Sequence, residues 1–482
     1  MILTPSEGLI IIAAYALFVI AITYFFTAYS KRKIDFLLAG RKAKIGLAAF
    51  SIAASWIWAP ALFVSAQKAY TDGFAGLFWF TVPNAAAVLL FGYVAVKLRK
   101  RFKNGYTLPQ FMWEKTSKRV HNLYLVQFLS LNVCAFSVQL LAGGGILAYL
   151  TGVPMSYFVL IFAIIALSYS MYSGLRASMV TDYVQMLFML VAAFIIVPIV
   201  YLASPDGALL AGMRGPSGDM LNIFSLDSLW VAYSFGIVVS IGLLSGSFGD
   251  QIFWQRGLAI EKDSDVRKAF VMGAGIFVIA PVMMGMLGFL ARGSGVDVPD
   301  VGYTNLFAIL PFVEKPIIIL FVGLIISGLI STLDSVLASA SSLAGNDIYK
   351  RLLGVTHSHR TYDDQALVAS RASMVMIALV GIAIALIPGM TIALLFLFYG
   401  TLRASTLAPT LYTIMSKKRV SEKGVFYGLV ASIFVFVPIF GYANFTGMTH
   451  LAVAGSILTV SSSGILAYYF TQKQTVRPKY KK

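Results

Sequence analysis

Thirteen stretches of this chain are apolar over about the 20 residues that a helix needs to cross a bilayer. They lie near residues 8–29, 45–70, 76–98, 121–149, 155–173, 179–203, 227–249, 268–291, 317–343, 366–388, 391–415, 424–443 and 451–471. In hydrocarbon, every backbone N–H and C=O must find a partner within the protein, which leaves only helices and closed barrels. Apolar runs of this length are helical. Composition agrees, because 12% of residues are charged, against about 25% in soluble domains. The expectation is an all-α membrane protein of about 13 transmembrane helices, with no soluble part large enough to fold separately.

A net charge of +17 would suit a nucleic-acid binder, but its placement argues against one. All but five of the 37 Lys and Arg fall in or beside one alternating set of segments: 30–44, 97–119, 256–268, 350–371, 416–423 and 472–482. Lys68, Arg214, Arg292 and Lys315 lie on the other side, and Arg403 lies within a span. Such asymmetry marks the basic loops as cytoplasmic. The first span is followed, not preceded, by basic residues (Lys31, Arg32 and Lys33), so it reads as a retained helix. The expected setting is the cytoplasmic membrane, with the N-terminus outside and the C-terminus inside. The single cysteine, Cys134, permits no intrachain disulfide.

Two spans carry helix breakers. In the second, AASWIWAP at 53–60 ends in a proline that cannot return an N–H to the Trp56 carbonyl. In the seventh, GLLSGSFG at 242–249 is poor helix former. The two breaks are five spans apart, the spacing expected of two five-helix repeats of inverted topology with a site at mid-membrane. Pro and Gly could also simply kink two ordinary helices. The reading is one transmembrane domain over 1–482. Repeat one covers about 45–203, repeat two covers about 227–415, and spans 8–29, 424–443 and 451–471 flank them.

The ninth span holds Gly328, Ser331, Thr332 and Ser335 on one face, with Asp334 at its edge. Hydroxyls and carboxylates are the oxygen ligands that hard cations prefer, although small hydroxylic residues also serve helix packing. Asp182 lies near the start of the sixth span, where it would serve either a site or a helix N-terminus. No phosphate-binding glycine loop or His-Glu-x-x-His motif is present, which speaks against ATP-driven transport. No nucleophile–base pair suggests an enzyme. His357 and His359 read as residues of a solvated loop.

Several spaced motifs resemble the sodium/solute symporter family, which includes sodium/glucose, proline and sialic acid symporters. They are DFLLAGR (35–41), GYTLPQF (105–111), YSGLRA (172–177) followed by Thr181, Asp182 and Gln185, and STLDS (331–335) with DIY (347–349). The resemblance runs over about residues 5–420. It implies a five-plus-five inverted-repeat (LeuT-like) core of spans 2–11 and secondary active symport, with sodium entry coupled to uptake of a small polar solute. It also implies a sodium site made by the carbonyls of Ala54, Ile57 and Gly328 and the hydroxyls of Ser331 and Thr332, with glycine standing at 328 where alanine is usual. A second cation would involve Asp182, Ser331, Asp334 and Ser335. Asp334 stands where other members carry Ser, which leaves it as ligand, proton carrier or structural partner.

SWIWA (55–59), Gly73 and GLFW (76–79) resemble the urea-transporter subgroup. The solute candidates are Trp56 and Trp58 as a clamp around a small flat molecule, with Trp79, Gln67, Asn84, Asn132, Gln139 and Ser247 as further contacts. Each could instead be structural. Arg403 could attract a carboxylate or pair with an Asp. The rival readings are a proton-coupled carrier on the same fold and a membrane receptor or channel-like pore that does not transport.

Overall fold

The computed structural model describes residues 2–27, 29–352, 359–416 and 419–476. His357 and most of the basic tail at 477–482 fall outside these ranges. The main helices are α1 (Pro5–Phe26), α2 (Ile45–Trp56), α3 (Ala59–Arg101), α4 (Lys118–Thr151), α5 (Met155–Ser173), α6 (Leu175–Ala203), α7 (Ile237–Gly246), α8 (Gln251–Ala259), α9 (Asp263–Gly293), α10 (Lys315–Leu343), α11 (His359–Ala385), α12 (Ile392–Met415), α13 (Glu422–Ala431), α14 (Val437–Phe445) and α15 (Thr449–Val476). Among the described residues there is no strand, only an isolated bridge between Ala43 and Ile260.

Among the described residues, twelve helical segments are long and apolar enough to cross a membrane, where thirteen spans were expected. The difference lies in α3. Its 43 residues at 1.5 Å each would reach about 65 Å, twice the apolar thickness of a bilayer. Asp72 and Gly73 leave the helical region, Gly73 with φ +54°. A Cβ at Gly76 would lie 2.4 Å from the Lys68 carbonyl. The chain therefore doubles back there, and α3 holds the second half of span two together with all of span three.

Burial ranks the helices. In the most apolar stretches of α4 and α10, 72% of residues are buried, against 28% for α1. The long α9 lies along α3 through small residues, and a Cβ at Gly288 would sit 2.2 Å from the Ala66 carbonyl. Lipid is as apolar as a side chain, so close backbone approach holds membrane helices together where hydrophobicity cannot.

Both expected breaks are present. Between α2 and α3, Ile57 (φ −85°, ψ 76°) and Trp58 (φ −100°, ψ 175°) are non-helical, and Pro60 falls in the first turn of α3, where a missing N–H costs nothing. Between α7 and α8 the helix lapses over 247–250, and the Asp250 side chain caps α8 by accepting the Ile252 N–H at 3.0 Å. The seventh span thus runs on to Ala259, not 249. That overturns the assignment of Arg256 to a cytoplasmic loop, because it lies wholly buried in α8.

Candidate cation and solute sites

The end of α2 is held open from outside. Pro60 offers no N–H to Trp56 O, and the Ala59 N–H that would have served Ser55 O donates to Gln139 Oε1 of α4 at 2.7 Å. Ile57 N–H reaches back to both Ala53 O (3.0 Å) and Ala54 O (3.1 Å). Freed carbonyls at membrane depth survive only against protein, water or an ion.

α10 lies against this break. Thr332 Oγ1 is 3.4 Å from Ile57 O and 3.2 Å from Gly328 O. A Cβ at Gly328 would lie 3.4 Å from Ile57 O and 2.8 Å from Leu62 Cδ1, so glycine lets the helices approach. Three of the five expected ligand oxygens, those of Ile57, Gly328 and Thr332, are thus brought together, with Ala54 one turn back on α2. Ser331 neighbours them but turns its hydroxyl to Asp182 Oδ1, at 2.5 Å. The donor set is entirely oxygen and carries no charge of its own, which suits a weakly charged hard cation. Among the described residues no cluster of three His, Cys, Asp or Glu could hold a metal ion.

The second expected cation neighbourhood contains a cation supplied by the chain. Asp182 lies in the second turn of α6 and caps nothing. Its Oδ2 receives Arg256 Nη2 at 2.8 Å and the Ser51 hydroxyl at 2.6 Å. Arg256 also donates to Ser335 Oγ at 2.7 Å, Ser178 Oγ at 3.2 Å and Ser51 Oγ at 2.9 Å. The guanidinium therefore meets two of the residues that were expected to ligate a second ion, Asp182 and Ser335. Among the described residues, no basic side chain pairs directly with Asp334. Its oxygens accept from Ser178 (2.6 Å), Tyr169 (2.5 Å), Thr181 (3.2 Å) and Ser335 (3.3 Å).

The expected solute contacts separate. Trp56 and Trp58 line a small cavity between the two breaks, together with Ser55, Asp250, Phe253, Thr332, Tyr399 and Arg403. Trp56 packs edge-on to Phe253, and Trp58 packs on Phe396 and Tyr399. The other candidates lie elsewhere. Gln67 faces a cavity of about 210 Å³ with Phe63, Tyr303 and Ile392. One turn deeper on α12, Phe396 meets Trp58. Asn132 accepts from Ser339 of α10 at 3.1 Å, and Asn84 donates to its own helix at Phe80 O. Ser247 donates to Ala87 O at 3.0 Å. Trp79 packs where a Cβ at Gly236 would meet its ring at 2.7 Å. Gln139 holds the α2–α3 break.

Four site residues escaped the sequence: Arg256, Asp250, Tyr399 and Ser51. One signal was there. Asp250, Gln251, Gln255 and Arg256 interrupt an otherwise apolar segment directly after the second break, as the wall of a polar interior would. Arg403, seen in the sequence without a partner, is paired with Asp250 at 2.9 Å.

A family model described as the sodium:solute symporter family matches residues 36–432. A probable urea active transporter of Schizosaccharomyces pombe is 24% identical, over 96% of this chain and 73% of its own length. A urea-proton symporter of Oryza sativa subsp. japonica is 24% identical, over 96% and 70%. A high-affinity proline transporter of Bacillus subtilis is 25% identical, over 94% and 97%. Among solved structures, a Na+-coupled sialic acid symporter in a substrate-bound outward-open state superposes with a TM-score of 0.75 at 17% identity, over 96% of this chain and 98% of that one. A nucleobase-cation-symport-1 family transporter in a closed conformation superposes at 0.56, with 15% identity. The fold is therefore the LeuT-like one expected, and the chain belongs to the sodium:solute symporter family.

Proposed function

We propose that this protein is a secondary active symporter of the cytoplasmic membrane, coupling entry of one sodium ion to uptake of a compact polar solute of the urea type. The observation that carries the sodium assignment is the approach of Thr332 Oγ1 to Ile57 O and Gly328 O across the broken helix. An ion there bridges α2 and α10, which belong to the two five-helix units at about 45–203 and 227–415. It can therefore favour one relative placement of the units over another, and coupling is that difference in affinity between states. One ion rather than two follows from Arg256, whose fixed charge already neutralises Asp182. The urea assignment draws on the urea transporters among the relatives and on the small cavity beside the cation seat.

The N-terminus lies outside and the basic loops inside, from the charge asymmetry. A second reading is proton coupling. A urea-proton symporter is among the relatives, and Asp334 is a buried carboxyl that, among the described residues, accepts its hydrogen bonds from hydroxyls. Uptake of [14C]urea into proteoliposomes separates the readings. The sodium reading expects accumulation driven by a sodium gradient at equal pH. Accumulation driven by a pH gradient in sodium-free buffer, with none from sodium, overturns it.

A further inference from the structure

The cavity between the helix breaks is unbalanced in its hydrogen bonding. Arg403 is 3% exposed. Its Nη2 donates to Asp250 Oδ2 at 2.9 Å and to the Tyr399 hydroxyl. Among the described residues, no protein acceptor meets Arg403 Nε or Nη1, Trp56 Nε1 or Trp58 Nε1. Buried donors of this strength are normally satisfied, so four on three residues that line one cavity call for an acceptor. Asp250 does not reach them: its bonds go to the Ile252 N–H through Oδ1 and to Arg403 Nη2 and Tyr399 through Oδ2.

The guanidinium is also held in place. Its Cζ lies 3.7 Å from the Tyr399 ring centroid, 5.4 Å from that of Trp56 and 5.3 Å from that of Trp58. The second break admits it, because a Cβ at Gly246 would lie 2.9 Å from Arg403 Nη1 and 2.4 Å from Trp56 Cη2. A caged guanidinium loses little freedom on binding.

Charge then selects the acceptor. Asp250 cancels Arg403, so the seat offers donors without net positive charge. A carboxylate entering it would lose its hydration against a neutral site, whereas a carbonyl dipole loses far less. At the same break, the carbonyls of Ser55 and Trp56 have lost their helical N–H partners and can accept N–H groups. The cavity is small, about 10 Å³, near the least that holds one water, so an occupant must be compact and enter with local widening.

We propose that this seat recognises a compact, planar, uncharged solute through a carbonyl oxygen, with Arg403, Trp56 and Trp58 donating to that oxygen and Asp250 keeping the site neutral. This rests on the symporter reading and names the groups that read the solute.

The test is equilibrium binding of [14C]acetamide, [14C]urea and [14C]acetate to the purified full chain in sodium buffer, with 22Na+ binding measured in parallel. Wild type should bind acetamide or urea at least about tenfold more tightly than acetate, since a hydrogen-bonding pocket discriminates strongly on matched groups. Arg403→Lys keeps the charge opposite Asp250, and Trp58→Phe keeps the ring. Each should weaken carbonyl binding several-fold or more while 22Na+ still binds. Asp250→Asn should shift preference toward acetate. Acetate binding wild type as well as acetamide, neither carbonyl probe binding while 22Na+ does, or unchanged carbonyl affinity in both donor variants overturns the proposal. Absent 22Na+ binding with the carbonyl pattern intact would instead sink the sodium reading and leave this one standing.

Discussion

Thr332→Ala removes one oxygen from the candidate cation seat and little else. The Thr332 hydroxyl lies 3.4 Å from Ile57 O and 3.2 Å from Gly328 O. These distances are at the long end for O–H···O bonds, and their loss should cost at most about 1 kcal/mol of stability. Toward a bound cation the same oxygen is worth more. Interactions of polar groups with charges contribute about 1.5–3 kcal/mol, equivalent to about a 10- to 100-fold change in affinity. The half-saturating sodium concentration, read from 22Na+ binding or from sodium-dependent uptake, should rise by that factor in the alanine variant. Thr332→Ser keeps the oxygen and should stay within about threefold of wild type, because the ligand atom is unchanged. A well-folded Thr332→Ala protein with unaltered sodium dependence refutes the placement of the ion between α2 and α10.

Arg256→Ala leaves Asp182 buried without its counter-charge, a loss of about 3–5 kcal/mol in comparable buried pairs; the melting temperature of purified protein should fall sharply, and a shift of under a degree or two would remove the pair from the core. The proposed single-ion coupling also limits accumulation. At 100 mV and a tenfold sodium gradient, one ion supplies about 3.7 kcal/mol, enough for a gradient of a few hundred-fold in a neutral solute; a ratio nearer 10⁵ in tight proteoliposomes means a second ion. Gln139→Leu removes the acceptor that holds the Ala59 N–H, and the change should cost about 1–2 kcal/mol, seen as a lower melting temperature. Gly246→Ala places a methyl 2.4 Å from the Trp56 ring; uptake should fall severely while helix content by circular dichroism stays at wild-type level.

The sequence by itself determined what depends on short stretches of chain. Apolar length gave the spans, and the distribution of Lys and Arg gave two distinct faces. Pro60 and the glycines at 242–249 gave the two breaks, because a missing N–H or a missing Cβ acts within one turn. Small and hydroxylic residues at helical spacing gave one wall of the candidate cation seat, since Gly328 and Thr332 are one turn apart in any helix.

Only the tertiary structure decided which remote groups meet. A break resets the helical phase, so the direction of Arg256 could not be extrapolated from α7 through 247–250 into α8, and a basic residue near a span end reads as a loop residue. The partner of Arg403 lies 153 positions earlier, on the far side of a break. Asn132, Ser247 and Trp79 had the composition of solute contacts, but packing turned them to α10, α3 and Gly236. Charge pairing across a protein is a matter of distance in space, and in a bundle of crossing helices that distance is set by how their surfaces fit and not by spacing along the chain.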